Sequence, residues 1–115
     1  MAKRNSPERD IHRAVVQHLT RRAKPGVVWF HVPNAPRNAV AGAMLKKLGM
    51  RAGVSDIILF HNGELFALEL KAPKGRESIE QMEFQSEIRL AGGFTSVSQG
   101  LDEALNVLNL WGLLK

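Results

Sequence analysis

The chain has 115 residues, of which 44% are hydrophobic, and this length suits one domain with a single core. The absence of cysteine excludes disulfides and thiolate zinc sites and is compatible with the cytoplasm. We expect no transmembrane helix and no signal peptide, because no apolar run approaches roughly eighteen residues and the N-terminus is polar. The 16 Lys and Arg against 11 Asp and Glu leave a net charge of +5, which favours a nucleic-acid partner.

Turn residues and changes in hydrophobic period divide the chain into eight elements in the order α-β-α-β-β-α-β-α. Ser6-Pro7 is typical of a helix start. The second helix, predicted over 38–48, is rich in Ala and Gly, whose small side chains allow close packing. We expect a single domain over 1–115, with 1–5 as a mobile basic arm. The C-terminal apolar residues either finish the core or form an interface: Leu108, Leu110, Trp111, Leu113 and Leu114.

A β-hairpin with a tight turn is predicted over 53–71. Asn62-Gly63 is the typical dipeptide of a type I′ turn, in which both central residues have positive φ. A two-residue loop places Asp56 opposite Glu69, and directly opposed residues have Cβ atoms about 4.5–5.5 Å apart. Lys71 lies two residues beyond Glu69 and therefore on the same face. The three charged residues are predicted to converge at the open end of the hairpin.

Apolar side chains alternate onto both faces of this hairpin. Ile57 and Leu59 belong to one face, and Ile58 and Phe60 belong to the other. Strands that are apolar on both faces are covered by helices on both sides. The predicted fold class is α/β, a mixed four-stranded sheet flanked by helices on both faces.

The paired carboxylates predict a metal site. Two adjacent carboxylates raise each other's pKa unless a cation lies between them, and oxygen ligands suit a divalent metal. Such a metal activates water and neutralises phosphate charge, and Lys71 beside it assists the water or the transition state. The structural alternative is that Asp56 caps the strand while Glu69 and Lys71 form a solvated ion pair.

This combination resembles the PD-(D/E)xK nuclease superfamily, in which an Asp on one strand precedes Glu-x-Lys on the next. Ser55 stands where the superfamily has proline, a departure that leaves both metal ligands in place. The resemblance extends to the VRR-NUC (virus-type replication-repair nuclease) domain and covers nearly the whole chain. The matching segments are Glu8, 31–34 (His-Val-Pro-Asn), 49–53, Asp56, 69–75 and Gln81.

The resemblance implies Mg²⁺- or Mn²⁺-dependent cleavage of DNA, with Asp56 and Glu69 as metal ligands and Lys71 as a catalytic residue. It adds Glu8 as a further acidic ligand from the first helix. It also adds Gln81 as a residue that orients the water or contacts the scissile phosphate. Both additions have structural alternatives. Glu8 complements the helix dipole, and Gln81 completes a capping box, which it combines with catalysis only if its side chain has rotamer freedom.

Basic residues around the hairpin are the predicted DNA contacts. Lys74 and Arg76 follow the catalytic lysine and border the site, where they grip the phosphate backbone. His12, His18 and His61 lack the spacing of zinc ligands and are interpreted as structural or surface residues. The remaining predicted DNA-contacting or site residues are His31, Asn34, Arg37, Lys46, Lys47 and Arg51.

The sequence has no recognition helix, so we expect recognition of DNA shape rather than sequence. In stand-alone members the resemblance implies a homodimer acting on branched DNA such as Holliday junctions, in a bacterial or phage-infected cell. The competing hypothesis is a non-catalytic nucleic-acid-binding module that keeps the nuclease fold. The third hypothesis is an enzyme that acts on another phosphate substrate, such as a nucleotide. The sequence does not support it, because the chain has no Gly-rich phosphate-binding loop.

Overall fold

The computed structural model of the chain describes residues 7–33 and 37–115. The predicted N-cap Ser6, the basic arm over 1–5 and the predicted contact Asn34 lie outside the described residues. Eight elements follow one another in the predicted order. Their bounds are α1 Pro7–Arg22, β1 Val28–His31, α2 Ala39–Lys47, β2 Ile57–His61, β3 Glu64–Lys71, α3 Ile79–Leu90, β4 Phe94–Gln99 and α4 Leu101–Leu110.

The four strands form one mixed sheet in the order β1-β2-β3-β4. The pairs β1–β2 and β2–β3 are antiparallel, whereas β3–β4 is parallel and is joined by the crossover helix α3. At the hairpin turn Asn62 has φ 50° and Gly63 has φ 78°, the positive values that a type I′ turn requires. His61 pairs with Glu64, so the predicted two-residue turn and its register are confirmed.

The larger core lies on the face of the sheet covered by α1 and α4. Buried side chains of the hairpin, such as Leu59 and Leu68, pack there against Leu19 of α1 and Leu108 of α4. The C-terminal residues 113–114 are also buried in this cluster. The C-terminal apolar segment therefore mainly completes the core, although Leu110 itself is exposed.

The opposite face carries a smaller core beneath α3. Ile58 and Ala67 are buried there against Phe84 of α3. The cover does not extend across the whole face, since Phe60 is 41% exposed. Helices on both faces of a mixed sheet confirm the predicted fold class. Among the described residues, no helix is long and apolar enough to cross a lipid bilayer.

Helix α2 differs from the other three helices because none of its residues is buried. The side chain of Asn38 accepts a hydrogen bond from the backbone N–H of Ala41 at 2.8 Å and caps the helix start. Two of its small residues, Ala41 and Gly42, are half-buried, so the helix packs on that side only in part. Small side chains permit a close approach, but they contribute little apolar area to drive one.

Candidate active site

The loop that delivers Asp56 is packed against the start of α3. Gly53 has φ +86°, and a Cβ at this position would lie 2.3 Å from the backbone carbonyl of Glu80. Only glycine fits such a close approach with positive φ. The chain therefore enters β2 in contact with the helix turn that carries Gln81.

Asp56 lies one residue before β2 and is fixed by contacts to both neighbouring strands. Its side-chain Oδ2 accepts a hydrogen bond from the backbone N–H of Leu70 at 2.8 Å. Its carbonyl oxygen accepts from the backbone N–H of Val32 at 2.9 Å and lies 3.0 Å from Nδ1 of His31. Because the carbonyl only accepts, His31 contributes its Nδ1–H there and holds the Asp56 backbone in place.

Glu69 is buried, with 2% of its surface exposed. Its Oε2 accepts a hydrogen bond from Nε2 of Gln81 at 2.9 Å and lies 3.8 Å from Nζ of Lys71. Its Oε1 is buried and has no hydrogen-bond partner among the described residues. Lys71 is also buried, at 9% exposure. The alternative of a solvated ion pair is therefore wrong, because the pair is buried and its contact is long.

This environment raises the pKa of Glu69 to about 8. Burial is the largest cause, followed by the negative charge of Asp56. Lys71 opposes the shift, whereas a hydrogen bond to the Asp56 carboxyl, which requires one of the two groups to be protonated, and the charge of Glu8 add to it. Among the described residues, the positive charge of Lys71 therefore does not fully balance the negative charge that Glu69 carries when it is ionised. A bound divalent cation would supply the missing positive charge.

Gln81 completes the predicted capping box and also contacts the candidate metal ligand Glu69. Its Oε1 accepts a hydrogen bond from the backbone N–H of Ser78 at 2.8 Å, while Oγ of Ser78 accepts from the backbone N–H of Gln81 at 3.1 Å. These two bonds complete the predicted capping box. The other end of the amide, Nε2, holds Glu69. Opposite ends of one amide thus serve the helix cap and Glu69, while the predicted contact of Gln81 with the water or the scissile phosphate stays a prediction.

A cleft of about 330 Å³ lies beside Asp56 on the α1 side of the site. Glu8 and His31 line it, as predicted for the site, together with His12. The rings of His12 and His31 meet edge-on, with 4.4 Å between centroids. Burial lowers the pKa of His12, with a further lowering from His31 and an opposing effect of Asp56. The complete lining is Glu8, Arg9, His12, Arg13, His31, Asp56 and Leu70.

The sequence interpretation of His12 as structural or surface missed its place in this cleft. The available signal was its spacing, since His12 lies four residues after Glu8 and therefore on the same side of α1. The sequence interpretation also missed Arg9 and Arg13, which line the same cleft. The cleft thus combines carboxylates with cationic and imidazole groups next to the metal-site candidates.

The basic residues predicted to contact DNA fall into three groups. Lys74 and Arg76 are exposed on the loop after β3. That loop is anchored to the sheet, because Nε2 of Gln99 donates to the carbonyl of Gly75 at 2.9 Å. Arg51 is instead engaged with Glu87 of α3 through two hydrogen bonds of 3.1 and 2.9 Å. The others, Arg37, Lys46 and Lys47, are exposed in and before α2.

The donor set at the open end of the hairpin suits Mg²⁺ or Mn²⁺. Within residues 7–33 and 37–115, no three His, Cys, Asp or Glu side chains lie close enough to hold a metal ion by themselves. Mg²⁺ is commonly held by one or two carboxylates, with waters and substrate phosphates as its other ligands. Asp56 and Glu69 meet this requirement, and the unpartnered Oε1 of Glu69 is a free donor atom.

The fold has a counterpart among solved structures. A structure described as a VRR_NUC domain protein matches with a TM-score of 0.77, over 95% of this chain and 90% of that chain, at 18% sequence identity. No family model and no curated protein matches the chain. At this identity the likeness establishes architecture. The chain has the fold of a VRR-NUC domain, and the fold implied by the sequence resemblance is confirmed.

Proposed function

We propose that this protein is a divalent-metal-dependent DNA endonuclease that hydrolyses phosphodiester bonds. The observation that carries the proposal is the buried Glu69, whose Oε1 has no partner among the described residues and whose pKa is raised to about 8 next to Asp56. Burying an uncompensated carboxylate costs stability, so such sites are typical of function rather than of structure. The fold of a VRR-NUC domain supports the same class of reaction.

Asp56 and Glu69 would hold the metal, and Glu8 lines the adjacent cleft from α1. When bound, a divalent cation lowers the pKa of a coordinated water and neutralises charge on the scissile phosphate. Lys71, whose ammonium lies 3.8 Å from Oε2 of Glu69, would orient the attacking water or stabilise charge that develops on the phosphate. Gln81 keeps Oε2 of Glu69 occupied, which leaves Oε1 as the donor toward the metal.

Branched DNA, such as a four-way junction, is the proposed substrate, and a homodimer is the proposed active form. The support for branched DNA is the resemblance to stand-alone VRR-NUC domains, together with the net charge of +5 and exposed cations beside the site. Lys74 and Arg76 are placed to contact phosphates, which gives affinity without sequence readout. Two sites related by a two-fold axis suit the cutting of two symmetric strands.

The test is cleavage of a four-way junction, a flap and a linear duplex, with Mg²⁺ or Mn²⁺ and with EDTA. We expect metal-dependent cutting of the junction by the parent protein. Asp56→Ala and Lys71→Ala are expected to lose at least about a thousandfold in rate, as removal of groups that act directly on the reacting phosphate commonly does. Glu64→Gln is the matched control, because Glu64 is an exposed glutamate at the other end of the same strand.

The competing hypothesis, a non-catalytic DNA-binding module, makes the opposite prediction. It expects the parent protein to bind the junction and to leave it intact with either metal. If Asp56→Ala and Lys71→Ala cleave at the parent rate, the proposed site does not catalyse the reaction. Equal cleavage of the junction and the linear duplex would support nuclease activity but contradict the proposed preference for branched DNA.

A further inference from the structure

The cleft beside Asp56 is lined by two kinds of polar group. Asp56 and Glu8 contribute carboxylates, whose charge a bound divalent cation would offset. Arg9, His12 and Arg13 of α1 contribute N–H donors to the same cleft. Cationic and imidazole donors beside a metal-site candidate are the chemistry that binds phosphate oxygens. The cleft therefore has the groups to extend the candidate site toward a neighbouring phosphate.

The donors on α1 are not explained by the stability of the helix. Arg9 lies in the first turn, where the helix dipole disfavours a cation, and Arg13 is far from the C-terminal turn, where a cation is favoured. Within the described residues, the side chain of Arg13 forms no hydrogen bond or ion pair, and the contact of the His12 ring is the edge-on one with His31. Arg13 is exposed and His12 is half-buried. The N–H groups of both side chains are therefore available to a ligand in the cleft.

The order of the strands puts the candidate metal ligands between two groups of cations. His31, at the end of edge strand β1, lines the cleft together with the donors of α1. Gln99, at the end of the opposite edge strand β4, anchors the loop after β3 and its two exposed cations. Asp56 and Glu69 belong to the two central strands, before β2 and in β3. A DNA strand with its scissile phosphate at these carboxylates thus meets cations in both directions.

The width of the open end suits a short run of phosphates. Neighbouring strands lie about 4.8 Å apart, so the sheet spans roughly 14 Å from β1 to β4. Phosphates of one DNA strand follow each other about every 3.4 Å along the duplex axis. With the scissile phosphate at the central strands, a phosphate one or two nucleotides away reaches the edge at β1. The cleft of about 330 Å³ has the volume of a small ligand pocket and accommodates one such backbone segment.

We propose that this cleft binds a DNA phosphate one or two nucleotides from the scissile phosphate, on the side opposite to Lys74 and Arg76. The guanidinium of Arg13 and the ring N–H of His12 donate to the phosphate oxygens, and Arg9 adds a further positive charge. The inference rests on the proposed function and assigns α1 to its DNA interface. Phosphate contacts fix the register of the DNA without reading its sequence, so this contact orients the strand across the metal site.

The first experiment maps the phosphates by binding and therefore does not depend on cleavage. A four-way junction carries one neutral methylphosphonate linkage at a time, and its affinity is measured by fluorescence anisotropy in EDTA. At one linkage the substitution is expected to weaken binding of the parent about tenfold, as loss of a hydrogen bond to a charged group commonly does. The same substitution is expected to have little effect on Arg13→Gln, which already lacks the contact.

Two further variants make this result specific. Lys74→Gln is expected to keep the sensitivity at the linkage coupled to Arg13 and to lose it at a separate linkage. Arg89→Gln is the matched control, because Arg89 is an exposed arginine at the C-terminal end of α3 that contacts Thr95, and it is expected to keep both sensitivities. Where the parent cleaves with Mn²⁺, the cut is expected between the two linkages. If it does not cleave, the coupling remains measurable, so failure of the nuclease and failure of the cleft are distinguishable.

The second experiment separates a phosphate contact of His12 from its packing against His31. His12→Gln keeps a neutral N–H donor and is expected to bind the junction like the parent. His12→Phe keeps a ring beside His31 and is expected to bind about tenfold more weakly, because the donor is lost. Circular dichroism verifies that each variant is folded. Three results would overturn the proposal: no linkage loses its effect in Arg13→Gln, Arg13→Gln and Lys74→Gln lose the same linkage, or His12→Phe binds like the parent while His12→Gln does not.

Discussion

The two ends of the hairpin carry the same residue type in opposite environments. Glu64 follows the turn and is exposed, whereas Glu69, five residues along the same strand, is 2% exposed and next to Asp56. Burial, followed by the charge of Asp56, raises the pKa of Glu69 to about 8, and the nearby Lys71 does not fully offset these effects. The protonation of Glu69 thus depends on the residues packed around the open end of the hairpin, rather than on the residue type alone.

The surroundings of the two ends differ in how tightly they are packed. At the turn, Gly63 has positive φ, and a Cβ there would meet nothing within 4 Å. At the open end, Gly53 also has positive φ, but a Cβ there would meet the backbone of α3. The loop before Asp56 and the first turn of α3 thus form one packed unit around Glu69.

Replacing each glycine by alanine gives the largest expected difference between the two ends. Gly63→Ala is expected to cost about 1 kcal/mol of unfolding free energy, the usual penalty of a left-handed conformation for a residue with a Cβ. Gly53→Ala adds a backbone clash at 2.3 Å and is expected to cost about 3 kcal/mol. Urea unfolding of both variants measures the difference. Equal losses would show that the open end is no more tightly packed than the turn.

The pH dependence of stability sharpens the comparison between the two glutamates. In the folded, metal-free protein Glu69 keeps its proton up to about pH 8, whereas in the unfolded chain it ionises near its ordinary pKa of 4.5. The folded state therefore binds more protons between these values, and the free energy of unfolding falls as the pH rises through this range. The Glu69→Gln variant is expected to lose this pH-dependent decrease in the free energy of unfolding, whereas Glu64→Gln is expected to keep it.

Thermal unfolding in EDTA at pH 5 and pH 8.5 measures this effect. The difference in melting temperature between the two pH values is expected to shrink by roughly 5–10 °C in Glu69→Gln relative to the parent. Added Mg²⁺ or Mn²⁺ is expected to stabilise the parent most at the higher pH, because the metal requires the ionised carboxylate. Identical pH profiles for Glu69→Gln and the parent would show that Glu69 does not titrate as described.

The double role of Gln81 yields the smallest predicted effect and separates its two functions. Ser78→Ala removes one half of the capping box and is expected to cost about 1 kcal/mol of stability with the cleavage rate unchanged. Gln81→Ala removes the other half and also releases Oε2 of Glu69. It is expected to cost similar stability and, in addition, about tenfold in cleavage rate. Equal cleavage rates in Ser78→Ala and Gln81→Ala would show that Gln81 contributes only to capping α3.

The open end of the hairpin was predictable because its geometry depends on local signals. Asn62-Gly63 determines a two-residue turn, and counting outward from it places Asp56 opposite Glu69. The capping box at Ser78 and Gln81 is likewise a local pattern. These features need only a few neighbouring residues, so the sequence is sufficient to predict them.

Other features were not predictable because they depend on contacts between distant segments. The burial of Glu69 arises where β3, the loop at Gly53 and α3 meet, and no local pattern describes that junction. The place of His12 in the cleft depends on how α1 crosses the end of the sheet. In each case the packing of whole elements, rather than the residue type, decides the outcome.

The central claim is that the open end of the hairpin binds a divalent metal, and calorimetric titration with Mn²⁺ tests it most directly. At pH 7 the metal-free parent is expected to bind Mn²⁺ and release about one proton, measured as a dependence of the heat on the ionisation enthalpy of the buffer. Glu64→Gln is expected to bind like the parent, and Glu69→Gln at least tenfold more weakly without the proton release. Equal affinity and equal proton release in Glu69→Gln and the parent would contradict the claim.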